Sequence, residues 1–302
     1  MINQANPTAG SRSVLGIILM CIAMFVVPLA DVGAKILVQK GVSPLQTVFL
    51  RMLFGTILLL PLVRIYNPRA LGKVAQPLPV LVLGLSIVGA TTFFFLSLEF
   101  LAIADALAIT FIQPFLVTIL SKYFLKEHVS TWRWLTVAIG FAATLIIIRP
   151  SSDAFEPASI LPLLSGAFMA LYAITVRTTT RSNSALTTTF YTHAAATVVA
   201  APLMFFAWDA MDRGSWLLIG ELTLLGLAVQ FLIIKAYEFG EASLIAPLSY
   251  TEIVSSTLAG LWFFNEFPDS ATFVGVAILI GCAIFTSYQT ATQTIAVKAK
   301  ER

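Results

Sequence analysis

Apolar runs of about twenty residues, divided by short polar punctuation, recur along the whole chain. A helix that crosses a bilayer needs about 20 predominantly apolar residues. Ten stretches meet that demand: 14–37, 44–63, 78–98, 104–124, 131–148, 159–176, 185–207, 216–237, 242–264 and 271–288. The connections are short and rich in Pro, Asn, Asp and charge, as at Tyr66-Asn67-Pro68-Arg69 and Arg149-Pro150-Ser151-Ser152-Asp153. None is long enough to hold a water-soluble domain. No small-residue cleavage site follows the first apolar run, so it reads as a retained helix and not as a signal peptide. The pattern predicts an all-α integral membrane protein of about ten transmembrane helices.

Charge then orients those helices, because Lys and Arg gather on the cytoplasmic side of a membrane. With a cytoplasmic N-terminus, the cytoplasmic ends collect Arg12, Arg64, Arg69, Lys73, Lys122, Lys126, Arg133, Arg177, Arg181, Lys235, Lys298, Lys300 and Arg302. The other side collects Lys35, Lys40, Arg149 and Arg213, and Arg51 falls inside a helix. An odd helix count would destroy this asymmetry. Ten helices with both termini in the cytoplasm are therefore expected.

Composition excludes several classes of function. The chain is 58% hydrophobic and 11% charged, with mean hydropathy +0.91. An ordinary soluble domain carries about 25% charged residues. Cys21 and Cys282 lie in apolar runs and form no CxxC motif, and His128 and His193 lack metal-ligand spacing, so neither a metal nor another cofactor is indicated. No phosphate-binding loop or nucleotide fingerprint is present, which argues against a built-in ATPase and for gradient-driven work. No nucleic-acid partner is indicated. An intramembrane enzyme would need a deep cluster of reactive groups, and one deep His without a partner does not supply it.

An internal repeat is visible. The fourth and fifth stretches carry Tyr123-Phe124-Leu125-Lys126-Glu127, then Trp132 and Trp134, then a Gly-containing apolar helix. The ninth and tenth carry Trp262-Phe263-Phe264-Asn265-Glu266, then Phe273, then another Gly-containing helix. Glu127 and Glu266 take equivalent places, 139 residues apart. Five helices per repeat is an odd number, so the second repeat enters the membrane inverted, an architecture of secondary transporters.

The Phe-Leu-Lys-Glu, turn, Trp-x-Trp, Gly-helix pattern resembles the end of an EamA domain, the repeat of the drug/metabolite transporter superfamily. Asp31 and Lys35, the loop ending Ser43-Pro44, then Gln46 and Arg51 fit its opening. The resemblance covers residues 13–150 and 158–289 as two copies. It implies two inverted five-helix repeats around a central cavity lined by helices one, three, four, six, eight and nine. It also implies a multi-pass protein of the bacterial inner membrane that moves a small metabolite by alternating access. Ala102-Ile103-Ala104-Asp105-Ala106 and Phe111-Ile112-Gln113-Pro114 look most like carriers of the S-adenosylmethionine or riboflavin kind. The second copy departs from this pattern, with Tyr250-Thr251-Glu252 in place of Gln113-Pro114.

Ionisable groups at membrane depth cost ~2.5–3.5 kcal/mol each and so mark candidate sites. Glu252 lies mid-helix after Pro247 and Tyr250, as a carboxylate for a cationic group or a proton, or as a structural partner of Arg51. Arg51 either takes a substrate carboxylate through its planar fork or anchors to Asp31 or a helix end. Asp31 and Lys35 share a helix face four residues apart, which reads as a local ion pair or as an outer gate. Glu99 and Asp105 flank the loop between the third and fourth helices, as a negative entrance rim or a solvated edge. His193 is a coupling candidate or a hydrogen-bonded core group. Gln113, Gln230, Tyr172, Tyr250 and Phe94 are candidates for orienting or stacking a substrate. Pro114 and Pro247 interrupt matching helices of the two halves, which points to a binding site there. The expected substrate is a cationic or zwitterionic metabolite such as an amino acid or S-adenosylmethionine. The alternatives are an aromatic metabolite such as riboflavin, or a membrane subunit that transports nothing.

Overall fold

A computed structural model describes residues 9–71, 76–124, 131–148, 156–179, 183–239, 251–282 and 284–285. These residues form helices and connecting turns, with no strand among them. In order, the helices are α1 (Ala9–Gln39), α2 (Pro44–Tyr66), α3 (Pro77–Ser97), α4 (Ile103–Thr110), α5 (Gln113–Phe124) and α6 (Thr131–Ile148). There follow α7 (Ile160–Thr179), α8 (Ala185–Ala200), α9 (Met204–Ala207), α10 (Arg213–Phe239), α11 (Thr251–Phe264) and α12 (Ser270–Cys282). Six of the ten expected spans are long and apolar enough to cross a bilayer: Val14–Gln39, Pro44–Tyr66, Pro77–Ser97, Ile103–Phe124, Pro157–Val176 and Arg213–Ile233. The protein is therefore an all-α, multi-pass membrane protein. The other four expected stretches hold α6, α8 with α9, α11 and α12. Tyr250 and Pro247 lie outside the described residues, as does Glu127.

Local chemistry sets the helix ends. Pro44 and Pro77 open α2 and α3, where a missing N–H costs nothing. α1 ends in a left-handed turn at Gly41 (φ 79°), whose N–H donates to Val38 while that of Val42 donates to Leu37. α11 ends at Asn265 (φ 55°), a residue type that tolerates this conformation. Its N–H donates to the Leu261 carbonyl, and the next N–H, of Glu266, folds back to Gly260. α1 runs unbroken through Pro28. The fourth span does break, into α4 and α5, at Phe111 and Ile112 just before Pro114.

Packing is built between the two halves of the chain. α1 lies against α10 and α11, α2 against α8 and α10, and α3 against α7 and α8. α4 touches α7 and α11, and α5 touches α7. The main core gathers Leu37, Val48, Leu50, Met52, Leu98, Ile103, Ile219 and Leu222, with Ala34, Ala106, Ala196 and Ala200 where backbones approach. Large apolar residues such as Phe25, Ile57, Leu81, Phe141 and Leu217 are exposed on the outside of the bundle. In lipid such a surface is matched to its solvent, and small residues are what allow helices to close up.

Polar ties pin both ends of α2. Gln46, fully buried, donates from Nε2 to the Asp209 carbonyl (3.0 Å) and accepts from the Asp209 N–H (2.8 Å). At the other end Asn67 Nδ2 donates to Thr187 Oγ1 (2.8 Å). Beside the first tie, Asp212 caps α10 by accepting from Ser215 N and Oγ, and it meets Lys40 Nζ at 3.1 Å. The Ser215 hydroxyl first, then its N–H and Lys40, hold the Asp212 carboxyl well below the usual range.

Two outcomes are expected. Gln46→Leu leaves the Asp209 amide unpaired and should cost ~1–3 kcal/mol in detergent unfolding. Asp212 has a depressed folded pKa, so its contribution is complete above the ordinary aspartate range, ~4, and is lost as pH falls below it. Asp212→Asn should therefore flatten the acid limb of a melting-temperature profile and leave its neutral region level.

Candidate functional site

A bilayer interior offers no water to a charged side chain, so deep charges must find each other. Three do so here. Asp31 on α1 is buried and lies within electrostatic reach of Arg51 on α2. Glu252, in the first turn of α11, lies within electrostatic reach of Asp31. Among the described residues neither carboxylate forms a hydrogen bond or an ion pair. Arg51 Nε is buried with no acceptor. The guanidinium fits against α10 because position 226 is glycine: a Cβ there would come within 2.6 Å of one of its nitrogens. Asp31 thus stands between the Arg51 guanidinium and the Glu252 carboxyl, two acidic side chains to one basic one.

His193 on α8 is buried, and its Nδ1 meets the Thr189 carbonyl of its own helix at 3.0 Å. A carbonyl only accepts, so Nδ1 carries the proton and Nε2 is left as acceptor, turned toward Gly55 on α2. Tyr172 on α7 joins Thr192 on α8 and accepts from Gln230 Nε2 on α10 at 3.4 Å. Both expected polar candidates are therefore bound across helices. Gln113 is half-buried at the start of α5, just past the break. Phe94 packs at a tilt on Phe95 and against the main core, and Phe93 stacks on Phe168 at 5.7 Å. These rings are used in packing.

The Asp31–Lys35 pair expected from spacing is not formed. Lys35, 3% exposed, instead meets both carboxylate oxygens of Glu266 at 2.6 Å, donates to the Leu101 carbonyl at 3.0 Å and sits 5.0 Å over the Phe264 ring. The reason is the left-handed cap at Asn265, which turns Glu266 back beside α1. Glu99, exposed, and Asp105, half-buried in the first turn of α4, flank Leu101 in sequence. Glu266 drew notice in the sequence only as the counterpart of Glu127. Nothing in the sequence pairs it with Lys35, 231 residues away. The other residue missed was Gly226, whose only signal is its lack of a side chain.

A cleft of about 250 Å³ opens between α5 and α6, lined by Ile112, Phe115, Leu116, Ile119, Trp134, Ala138 and Phe141. It holds no charged group and lies apart from the Asp31–Arg51–Glu252 cluster.

Comparison with known proteins identifies the family. A sequence profile of the EamA-like transporter family matches residues 14–149 and again 157–288. An S-adenosylmethionine uptake transporter of Rickettsia bellii is 29% identical over 85% of this chain and 88% of its own length. A pseudopaline exporter of Pseudomonas aeruginosa is 31% identical over 78% of this chain and 84% of its own. A riboflavin transporter of Vibrio cholerae is 29% identical over 62% of this chain and 63% of its own. A crystal structure of a protein 19% identical shares the fold, with TM-score 0.63 over 94% of this chain and 99% of that one.

The two outer ion pairs should differ in energy. Lys35→Met strands a part-buried carboxylate and is expected to cost ~2–3 kcal/mol, below the range for fully buried pairs because Glu266 reaches solvent. Lys40→Met breaks an exposed pair and should cost under ~1 kcal/mol. Thermal unfolding of the two variants in one detergent checks the order.

Proposed function

From its membership of the EamA-like transporter family, to which this chain belongs, we propose that this metabolite transporter carries a small cationic or zwitterionic compound by alternating access. One observation carries the reading. Two acidic side chains, Asp31 and Glu252, stand with a single Arg51 beside Asp31, so the cluster can hold one further positive charge, a proton or a substrate cation. A substrate ammonium or sulfonium supplies it. Arg51, with Nε unpaired, takes the substrate's carboxylate. The S-adenosylmethionine named for four relatives offers both groups on one molecule. Riboflavin, an aromatic neutral at the isoalloxazine, ranks lower because Phe93 and Phe94 are spent in packing.

The two-repeat reading, 13–150 and 158–289, is supported by how the halves pack. Each contact between the halves has its counterpart when the helices of one half are exchanged for those of the other. α1 on α10 answers α7 on α3, and α2 on α10 answers α8 on α3. α1 on α11 answers α7 on α4 and α5, while α2 on α8 and α4 on α11 map onto themselves. The ties follow the same exchange. Gln46 and Thr187 are 141 residues apart, and Asn67 and Asp209 are 142 apart. Gln113 and Glu252 are 139 apart, the spacing of Glu127 and Glu266. Inverted halves place a site at their shared midplane, and rocking of one half against the other exposes it alternately.

Both termini lie in the cytoplasm of a bacterial cell, and the protein sits in the inner membrane. The Lys35 and Glu266 end then faces outward, where Glu99 and Asp105 add a negative field that draws cations. Proton coupling runs through Glu252, which exchanges a proton for the substrate's cation. His193, bound to its own helix, holds α8 against α2. Gln113, Tyr172, Gln230 and Tyr250 complete the set of residues assigned to the substrate.

A thermal-shift panel of amino acids, S-adenosylmethionine, riboflavin, quaternary amines and nucleosides tests the substrate class. A ligand at 100 times its Kd should stabilise by ~2.7 kcal/mol. A saturable shift confined to cationic or zwitterionic members is expected. A shift with riboflavin alone would overturn the assignment. For coupling, Glu252→Gln in proteoliposomes should lose accumulation driven by a pH gradient and bind the cation more weakly. Undiminished accumulation would remove Glu252 from the mechanism.

A further inference from the structure

Lys35 has three donors, and all three are engaged: two by the Glu266 carboxylate and one by the Leu101 carbonyl. None remains for Asp31. Yet Asp31 lies one turn earlier on the same face of α1, in the favoured order for an acid–lysine pair. Helical side chains lean toward the N-terminus, so the natural direction of the Lys35 stem is over Asp31. Asp31 is buried and, among the described residues, makes no hydrogen bond or ion pair. One ammonium thus has two carboxylates within reach and can satisfy only one at a time.

We propose that Lys35 reads the occupancy of Asp31 and transmits it to an outer latch formed with Glu266. The inference rests on the cationic-substrate reading above and deepens it. With the site empty, Asp31 competes with Glu266 for Lys35, and in the molecules where Asp31 wins, Glu266 is released and the junction of α1, α11 and the Leu101 turn opens. A substrate cation at Asp31 displaces the ammonium. Lys35 then returns to Glu266, Leu101 and the Phe264 ring, and the outer end closes over the loaded site. The structure holds the closed arrangement. Differential affinity is built in, because the cation binds better when Lys35 is elsewhere, and a ligand shifts a conformational equilibrium only through such a difference. The arrangement also selects by charge: a neutral compound does not displace Lys35 and so does not close the latch. Arg51 and Glu252 face Asp31 from α2 and α11 and stay in place in both states, while His193 faces Arg51.

The latch can be read without knowing the substrate. Ser255 lies between α1 and α11, inward of Lys35, where its hydroxyl donates to the Met24 carbonyl. In a chain with Cys21→Ala and Cys282→Ala, Ser255→Cys is labelled from the outside of intact cells with a membrane-impermeant thiol reagent. Glu266→Gln should label at least tenfold faster than the parent. Asp31→Asn should label severalfold slower, because Lys35 has lost its inward rival. Lys35→Met should label as fast as Glu266→Gln, with or without Asp31. Asp31→Ala serves if Asp31→Asn does not insert, and gel filtration in detergent checks folding of each. A Glu266→Gln rate equal to the parent would overturn the latch. An Asp31→Asn rate equal to or above the parent would overturn the occupancy link and leave a plain gate. Neither result depends on the thermal-shift panel, so the substrate reading and this one fail separately.

Discussion

A charged group inside a bilayer has no solvent but the protein itself, and the structure is organised around that constraint. The outside of the bundle is apolar because lipid accepts it. The inside holds a few ionisable groups that must answer one another. Asp31, Arg51 and Glu252 come from α1, α2 and α11, so the cluster exists only when the two halves of the chain are assembled. With two acidic side chains to one guanidinium, it has the groups to hold a proton or a cation and to release it again.

The surrounding contacts divide into those that hold and those that switch. Gln46 with Asp209, and Asn67 with Thr187, hold the ends of α2 through uncharged hydrogen bonds between the halves. Such bonds have no competing partner nearby. Lys35 and Glu266 form a short charged pair at one end, with Asp31 waiting one turn away. Charge pairs can trade partners at little cost when a second opposite charge is close. Fixed ties thus stand beside a charged pair that has a competitor.

The membrane class and the order of apolar helices were legible because both rest on a long-range average, apolar length. The break at Pro114 was legible because proline acts on its own helix. Asp31, Arg51 and Glu252 stood out as candidates one by one, since each is a charge in an apolar helix. Its partners were not. Spacing paired Lys35 with Asp31, but a left-handed turn at Asn265 brought Glu266 to Lys35 instead. That turn is a three-residue event whose consequence lies 231 residues away in sequence. Likewise the rings of Phe93 and Phe94 read as pocket material, and only packing against Phe168 and Phe95 shows them as core. Gly226 carried no signal at all, because its contribution is the space it leaves for Arg51.

The central claim is that the site demands a positive charge. The most direct measurement is equilibrium binding to the purified protein of a cationic compound and of its uncharged isostere, a quaternary amine against the analogue with carbon in place of nitrogen being such a pair. The account predicts that the cation binds at least tenfold more tightly, a difference of ~1.4 kcal/mol, and that Asp31→Asn or Glu252→Gln narrows the gap. Equal affinity for the two compounds in the unaltered protein would contradict it.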